Sequence, residues 1–470
     1  MTKDFKEKPL EYFSSIIDKI DKNCYEKIKN SVSSLLGENK SILDQIPFLE
    51  KSTNSKELFR FRALVVHDSY DNEVFPLPEM VESLFANAAV QSDKAEWMER
   101  KVVQCISIPN VSAWNHVQQY DGSVLVKLYT DEAVAVCNAY EFLGFPCEDE
   151  QGFTFHVITL QKLENDCNHL IEASGSLNPE MDNYLCNNLK TVRNTLLSTI
   201  SSYLRGDALL SELILYHLFS KLKLKKEGYI DSLKLGQLNF NLIVGNEVDF
   251  AERTLFPLLQ LLLPKVKYLS LDLNVLNNKA FESVMDYDNG ILKIGELLLT
   301  KGTHLIVDET KLNQGELNEQ GIRNLALLKD LIQHQTVMFN FTFPITISTD
   351  IPIIVVSEAK SMFSMEQSIQ WKPTLECIEK VEVPQDMINT IRVFISFWKH
   401  KNIEWDHDVK KKMEDFFVEK RRETSKYSAQ DFSKQLELFR LMSMSYGQSE
   451  FVDEIWQECD LFYRKWQQLK

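Results

Sequence analysis

The sequence predicts a soluble, multidomain α/β protein in which a small β-barrel precedes an α/β core and a helical C-terminal region. Three changes in the hydrophobic pattern predict it. Helical spacing gives way to alternation after about residue 56, strands interleave with helices after about residue 200, and helical spacing returns at about residue 385. The 470 residues are 44% hydrophobic, which suffices for two or three domains with cores of their own.

We expect an N-terminal helical segment over residues 1–50. Leu10, Phe13, Ile17 and Ile20 recur there at helical spacing. Such a stripe forms the apolar face of an amphipathic helix, and this face needs a surface to pack against. Phe13, Ile17 and Ile20 are therefore candidate partner-binding residues.

Residues 51–165 alternate with the period of two that is typical of strands. The runs that do so are 59–65, 102–108, 124–128, 136–142 and 153–160. Gly144 and Pro146 are expected to close the fourth strand. Five short strands with few helices predict a small barrel, for which the oligonucleotide/oligosaccharide-binding (OB) fold is the natural candidate.

Four aromatic side chains of this barrel have two interpretations. Tyr120, Tyr129, Tyr140 and Phe142 can stack on the bases of a single strand, or they can pack the barrel. Packing is favoured, because the basic groove that accompanies stacking is not visible in the sequence. The net charge of −16, from 52 basic and 68 acidic side chains, also repels a phosphate backbone. We therefore expect no direct nucleic-acid partner.

An α/β core is expected over residues 166–384, after a polar linker at 172–188. A helix follows Gly206, and another covers about 249–263. The predicted strands are 238–244, 269–275, 305–307 and 351–356. Strands that alternate with helices indicate a largely parallel sheet.

Residues 385–470 are expected to form a helical domain. Ser428 and Asp431 have the spacing of a capping box, in which a hydroxyl and a carboxylate satisfy free backbone donors at the start of a helix. Gly447 is expected to end that helix.

The eight cysteines are scattered and form no Cys-x-x-Cys pair, so we expect free thiols in a reducing compartment and no metal site. The first residues lack the apolar core of a signal peptide. No apolar stretch approaches the roughly 20 residues that span a bilayer, so no membrane partner is expected.

The α/β core has the outline of a nucleotide-hydrolysing domain. Residues 303–309 resemble a Walker-B strand, at whose end Asp308 would hold magnesium and Glu309 would orient the attacking water. An apolar strand that ends in two acids is common, so this pattern alone is weak.

The phosphate loop is degenerate. Such a loop needs Gly-x-x-x-x-Gly-Lys-Ser/Thr, so that backbone N–H groups and a lysine hold the phosphates. Here Gly245 is followed by Phe250 at the second glycine, Ala251 at the lysine and Glu252 at the hydroxyl. The Gly-x-Ser-x-Gly and His-Glu-x-x-His motifs are missing as well. We therefore expect no catalytic residue and no cofactor.

One segment resembles a known family. Residues 308–317 are similar to the Asp-Glu-Thr-x-Leu-x-x-Gly-x-Leu segment of the MCM-binding proteins, partners of the minichromosome maintenance (MCM) replicative helicase. Further segments agree with the family in their order along the chain: residues 60–62, 105–109 with Trp114, 125–129, 204–209, 216–218, 357–358, 415–419, 440–441 and 445–448. Members often carry a long polar insertion after the tryptophan. Here only residues 116–122 intervene, so a nuclear-import signal or regulation housed there is not expected.

The resemblance implies a barrel, an inactive AAA+/MCM-like core and a C-terminal helical lid. It implies binding to MCM helicase subunits in place of a regular hexamer member, which affects helicase assembly, protection or unloading. It further implies a role in DNA replication and sister-chromatid cohesion, and a nuclear location that extends to the cytoplasm. Arg440 would approach a neighbouring nucleotide as a lid arginine does, or it would only stabilise its helix. The alternative functions are a weak nucleotide-binding ATPase-like protein and an OB-type binder of single-stranded nucleic acid.

Overall fold

A computed structural model of the chain describes residues 29–34, 46–49, 57–68, 72–76, 97–115, 120, 122–129, 132–149, 152–163, 179–222, 224–225, 234–247, 249–365, 367–376, 382–401, 403, 407–423 and 427–467. The candidate docking residues Phe13, Ile17 and Ile20 lie outside the described residues. Within the described part of the chain, no helix is both long enough and apolar enough to cross a lipid bilayer.

The N-terminal part of the described chain is a closed five-stranded barrel, which confirms the predicted barrel. Its strands are β1 (Phe59–His67), β3 (Trp97–Ser107), β4 (Ser123–Leu128), β5 (Ala139–Asp149) and β6 (Gly152–Lys162), and β2 (Glu73–Pro76) pairs with β3 at the side. The order around the barrel is β1-β5-β6-β4-β3, and β3 pairs back with β1. Only β4 and β6 run parallel among these barrel pairs. This is the Greek-key closure of OB-type barrels.

The fourth barrel strand differs from its prediction. Residues 136–137 form a turn, and β5 begins at Ala139 and continues through Gly144 and Pro146. A Cβ on Gly144 would lie 1.9 Å from the His156 carbonyl oxygen, so the glycine permits the close approach of β6 at a bulge. Pro146 is tolerated because the pairing of β1 with β5 begins at Gly144, so no described strand pairs with Pro146 on that side.

The barrel aromatics pack in the way that the favoured interpretation requires. Tyr129, Tyr140 and Phe142 are buried. The Phe142 ring lies 5.9 Å from the Tyr140 ring and 6.4 Å from the Phe61 ring. Tyr120 is partly buried and stacks on Phe153 at 5.1 Å. Their ring faces are therefore taken up by other side chains of the chain.

A five-stranded parallel sheet forms the centre of the following region. Its strands are β9 (Phe240–Ile243), β10 (Val266–Ser270), β13 (His304–Asp308), β16 (Ile353–Ser357) and β17 (Ser368–Gln370). Their order in the sheet is β10-β13-β16-β9-β17, and every neighbouring pair is parallel. The predicted parallel sheet is thus confirmed.

A second sheet has four strands and was not predicted. Its order is β12 (Ile291–Lys293), β11 (Ser283–Asp286), β14 (Thr336–Asn340) and β15 (Pro344–Ser348). It consists of two antiparallel hairpins, β11–β12 and β14–β15, joined by the parallel pair β11–β14. A short ladder, β7 (Leu224–Lys225) with β8 (Lys234–Leu235), lies elsewhere.

The helices are α1 (Pro179–Tyr203), α2 (Ala208–Leu218), α3 (Phe256–Leu262), α4 (Leu273–Asn278), α5 (Glu319–His334), α6 (Gln385–His400), α7 (His407–Glu423), α8 (Ala429–Ser445) and α9 (Asp453–Gln467). A π-helix, Ala251–Leu255, leads into α3, and a 3-10 turn, Glu309–Lys311, follows β13. The predicted capping box of α8 is present in both directions, from Ser428 to Asp431 and back. Gly447 adopts a φ of 66°, the left-handed conformation that ends a helix.

Two sequence predictions in this region are wrong. The polar stretch at 172–188 is not wholly a linker, because α1 begins at Pro179. The predicted strand at 269–275 ends at Ser270. Asp272 then caps α4, since its Oδ1 accepts a hydrogen bond from the Val275 N–H at 2.8 Å. A side-chain cap thus outweighs the alternation of leucines.

The buried apolar side chains form two clusters, one on each face of the parallel sheet. One cluster continues from the sheet into the barrel, through residues such as Leu269 and Val103. The other cluster joins the opposite face to α1, α2 and the C-terminal helices, through residues such as Leu242 and Phe394. The barrel and the C-terminal helices therefore each share a core with the sheet.

Candidate functional site

The predicted phosphate-loop and Walker-B residues meet at the carboxyl edge of the parallel sheet. The loop after β9 carries Gly245, Phe250, Ala251 and Glu252, and β13 ends at Asp308. Only β16 separates these two strands. In open α/β sheets the crevice outside this edge is the usual ligand site. The structure thus brings together the residues that the sequence singled out.

Phe250 stands at the position of the second phosphate-loop glycine, and its ring forms an aromatic plug there. The Phe250 side chain is 3% exposed, and its ring centre lies 4.6 Å from that of Trp371, which directly follows β17. The Trp371 indole N–H donates to the Leu204 carbonyl at 3.1 Å, and the Arg205 guanidinium lies over the indole at 4.9 Å. Ala251 is buried where the lysine of a phosphate loop would stand. In the described residues, packed rings therefore occupy this part of the carboxyl edge.

The acidic side chains of the loop are paired with cations of the same chain. Asp249 is ion-paired with Lys311 from the other loop and with Arg253 at 3.2 Å. The hydrogen bond from Lys311 lowers the pKa of Asp249. Glu252 lies 4.0 Å from Lys311, and Glu247 is ion-paired with Arg205. Lys311 thus connects the loop after β13 to the loop after β9 by ion pairs, and its ammonium group offsets part of the negative charge of Asp249 and Glu252.

Asp308 is fully buried and is engaged in local hydrogen bonds. Its Oδ1 accepts from the Thr310 backbone N–H at 3.0 Å and from the Thr310 hydroxyl at 2.6 Å. Its Oδ2 accepts from the Tyr268 hydroxyl at 2.8 Å, and burial raises the pKa of Tyr268. The carboxylate therefore caps the 3-10 turn and anchors β10 to β13.

Glu309 is held against the loop that follows β16. Its carboxylate accepts from the Ser361 hydroxyl at 2.5 Å and from the Met362 N–H at 3.2 Å. Burial raises the pKa of Glu309. Among the described residues, no group of three or more His, Cys, Asp or Glu side chains is arranged to hold a metal ion.

Arg440 lies away from this edge. Its guanidinium Nη2 donates to the Gly236 carbonyl at 2.9 Å, and Glu437 accepts from the Gly236 N–H at 3.1 Å. Gly236 precedes β9, so this contact belongs to the amino end of the sheet. Burial lowers the pKa of Arg440 to about 10. The geometry favours the structural interpretation of this arginine over the nucleotide-contacting one.

Sequence reasoning missed the residues that shape the crevice. Lys311 lies inside the segment that carries the family resemblance, and a cation there was a usable signal. Trp371 and Arg205 are far from the loop along the chain, and no local pattern linked them to Phe250.

Comparison with known proteins places most of the chain in one family. The model of a family described as "Mini-chromosome maintenance replisome factor" matches residues 154–468. The match begins in the last barrel strand and continues to the end of α9.

Individual relatives agree with this match. The mini-chromosome maintenance complex-binding protein of Arabidopsis thaliana is 30% identical over 306 residues, which are 64% of this chain and 50% of that protein. The protein of the same name from Danio rerio is 29% identical over 317 residues, 65% of this chain and 49% of the relative. The one from Dictyostelium discoideum is 30% identical over 272 residues, 53% of this chain and 37% of the relative. The chain spans about half the length of the first two of these relatives.

Proposed function

Because the chain belongs to the mini-chromosome maintenance replisome factor family, we propose that it is a non-catalytic binding partner of the MCM complex. The observation that carries the proposal is the match over residues 154–468, which includes the parallel sheet, its carboxyl edge and helices α1–α9. The relatives are named for binding this complex.

The carboxyl edge supports the non-catalytic part of the proposal. Nucleotide hydrolysis requires a loop of backbone donors and a lysine directed at the phosphates. Here the ring of Phe250 packs on Trp371, and Lys311 is engaged with Asp249 and Glu252. A nucleotide would have to displace a packed ring and break ion pairs before it could bind.

We further propose that residues 166–384 are an inactive AAA+-like core and residues 385–470 its lid-like helical domain. Numbered along the chain, the parallel strands lie in the order 5-1-4-3-2. AAA+ ATPase cores share this strand order, which supports the proposal. Such a shape lets the chain occupy the place of a regular member in an MCM hexamer. From that position it would affect helicase assembly, protection or unloading, in DNA replication and sister-chromatid cohesion. The site of action would be the nucleus, with a cytoplasmic fraction.

A pull-down of tagged chain from replicating cells, followed by mass spectrometry, tests the proposed partner. We expect MCM subunits with one regular member missing. Direct binding is then measured with purified MCM subunits, added one at a time. Failure of every subunit to bind would overturn the proposal.

Isothermal titration with ATP and magnesium separately tests whether the chain binds nucleotide, which nucleotide hydrolysis would require. A flat trace is expected. Saturable binding that is lost in Asp308→Ala would instead support the weak nucleotide-binding alternative. A parallel titration with a single-stranded oligonucleotide at low salt tests the alternative function of the barrel, and no binding is expected.

A further inference from the structure

An exposed apolar surface lies at the tips of the two hairpins in the four-stranded sheet. Phe343 is 66% exposed and Tyr287 is 62% exposed, and Ile345 is exposed two residues after Phe343. The Tyr287 hydroxyl and the Thr342 hydroxyl lie 2.9 Å apart, so a hydrogen bond joins the two tips. We call these four residues, Tyr287, Thr342, Phe343 and Ile345, the hairpin surface. Contiguous exposed apolar side chains on a soluble protein commonly mark an interaction site.

The strand next to this surface has an open edge. β15 is the last strand of its sheet, and among the described residues no strand pairs with its outer side. The Thr349 N–H donates to the Gln335 carbonyl at 2.9 Å, which makes this a hydrogen-bonded pair of the β14–β15 ladder. Pairs alternate in an antiparallel ladder, so the N–H and C=O of Thr346, three residues before Thr349, point away from β14. The middle of β15 therefore offers both a donor and an acceptor to a further strand.

The side chains of β15 do not protect this edge. Natural edge strands are commonly guarded by charged side chains, which discourage pairing with another chain. Residues 344–348 are Pro-Ile-Thr-Ile-Ser, with no charge among them, and the first three are exposed. Pro344, at the start of the strand, limits where an added strand can begin. β-branched residues also favour the extended conformation.

The charge beside the hairpin surface favours a basic partner. Asp286 ends β11 and Asp288 lies in the β11–β12 turn, one on each side of Tyr287, and Lys293 pairs with Asp286 at 2.9 Å. Asp286, Asp288 and Lys293 therefore carry two negative charges and one positive charge. Asp68 follows His67, whose ring packs at a tilt against Phe341 of the second hairpin at 5.2 Å, so a further acid borders the same region. These acids repel both nucleic acid and a second copy of this chain, whose net charge is −16.

We propose that the hairpin surface and the β15 edge bind an extended segment of an MCM subunit, in which apolar residues alternate with basic ones. The inference rests on the proposed function and names the surface that performs it. The segment adds as a fifth strand beside β15, so its backbone pairs with Thr346. Its apolar side chains continue the row of Phe343 and Ile345, and the carboxylates of Asp286 and Asp288 favour the approach of its basic side chains.

Affinity measurements with the full chain and purified MCM subunits test this surface. The double variant Tyr287→Ser, Phe343→Ser removes exposed rings, and we expect about a tenfold or greater loss of affinity. Thr346→Lys places a cation on the edge and should cause a similar loss, whereas Thr346→Val should bind like the wild type. Leu461→Ser is the matched control, since Leu461 is 59% exposed on α9, and it should leave affinity unchanged. Thermal unfolding of every variant should match the wild type.

The outcomes separate this inference from the proposed function. If the wild type binds and the hairpin variants bind within about twofold, the surface is wrong and the MCM partner stands. If the wild type binds no subunit, the proposed function fails and the inference with it. Self-association in sedimentation that the double variant abolishes would assign the surface to a second copy and overturn the proposal. A peptide array of the subunits should retain alternating apolar and basic segments, and retention of acidic segments would contradict it.

Discussion

At the scale of single residues, a buried chain of polar side chains joins α2, β13 and α6. His217 lies against the Leu238 carbonyl at 2.7 Å, and because a carbonyl only accepts, His217 Nδ1 carries the proton. Its Nε2 therefore accepts from His304 Nδ1 at 3.0 Å, and His304 Nε2 accepts from Lys399 Nζ at 3.0 Å. Each imidazole thus has the tautomer that its neighbours dictate, and an added proton has no acceptor.

The hydrogen-bonded series of His217, His304 and Lys399 predicts that the folded protein loses stability in acid. Burial lowers the pKa of His217 to about 4, and burial with the charge of Lys399 lowers that of His304. A histidine with a lowered pKa stabilises the fold above about pH 6.5, and this stabilisation is lost as the pH falls towards the folded pKa. His217 alone should cost about 2 kcal/mol of unfolding free energy between pH 7 and pH 5. Urea denaturation of the wild type and His217→Gln at both pH values measures it. The variant should show the flatter dependence, and the surface variant His407→Gln should behave like the wild type; equal slopes for all three would contradict the assignment.

The buried position of Phe250 predicts that its truncation lowers the stability of the fold. Its ring packs on Trp371 inside the crevice, so Phe250→Ala should lower the unfolding free energy by about 3–5 kcal/mol, the range for a buried phenylalanine. The same substitution at the exposed Phe343 should cost less than about 1 kcal/mol. Urea denaturation compares the two. Similar values would mean that the ring does not plug the crevice.

The sequence predicted some residues of the candidate site and missed others that are far from them along the chain. Phe250 and Asp308 were brought to one edge by a general property of parallel sheets, whose carboxyl ends lie together. The plug depends on Trp371, which β17 brings against Phe250, and on Arg205, which follows α1 and lies over the Trp371 ring. Local patterns contain no information on such contacts.

At the scale of elements, periodicity predicted those segments whose sequence pattern and burial coincide. β1 and β4 alternate, the predicted part of β13 at 305–307 is apolar, and these strands form as expected. α1 was missed, although Leu185, Val192, Leu196 and Ile200 are buried along it at helical spacing, because its polar face masked the pattern. The four-stranded sheet was missed because its strands have three to five residues.

The capping box predicts the stability of an element. Ser428 accepts from the Asp431 N–H at 3.1 Å, and Asp431 accepts in return from the Ser428 N–H at 3.0 Å. Ser428→Ala should lower the unfolding free energy by about 1 kcal/mol, whereas Ser428→Asp should retain most of it. The two variants compared by urea denaturation test the cap, and equal losses would show that the hydroxyl does not hold the start of α8.

At the scale of the whole molecule, the barrel and the core are fastened together by more than apolar contact. The Trp114 indole N–H, in the loop after β3, donates to the Gln260 carbonyl in α3 at 2.8 Å. The Arg392 guanidinium of α6 lies 4.0 Å over the same indole ring. At the β11–β12 hairpin, the side-chain amide of the buried Gln104 of β3 hydrogen-bonds both backbone groups of Leu292. It accepts from the Leu292 N–H at 2.9 Å and donates to the Leu292 carbonyl at 3.3 Å. The family match begins inside β6, yet these contacts make the earlier barrel strands part of the same body.

We therefore predict that the barrel and the core unfold as one cooperative unit. Scanning calorimetry of the wild type should give a single transition, because neither part keeps its apolar face covered without the other. The double variant Trp114→Ala, Gln104→Ala removes an aromatic anchor and leaves the Leu292 backbone groups unpaired, so the transition should split or broaden into two. Tyr184→Ala, at an exposed aromatic on α1, should retain one transition. Two transitions in the wild type would mean that the barrel is an independent module. The proposed MCM-binding surface would then have to be sought separately on each part.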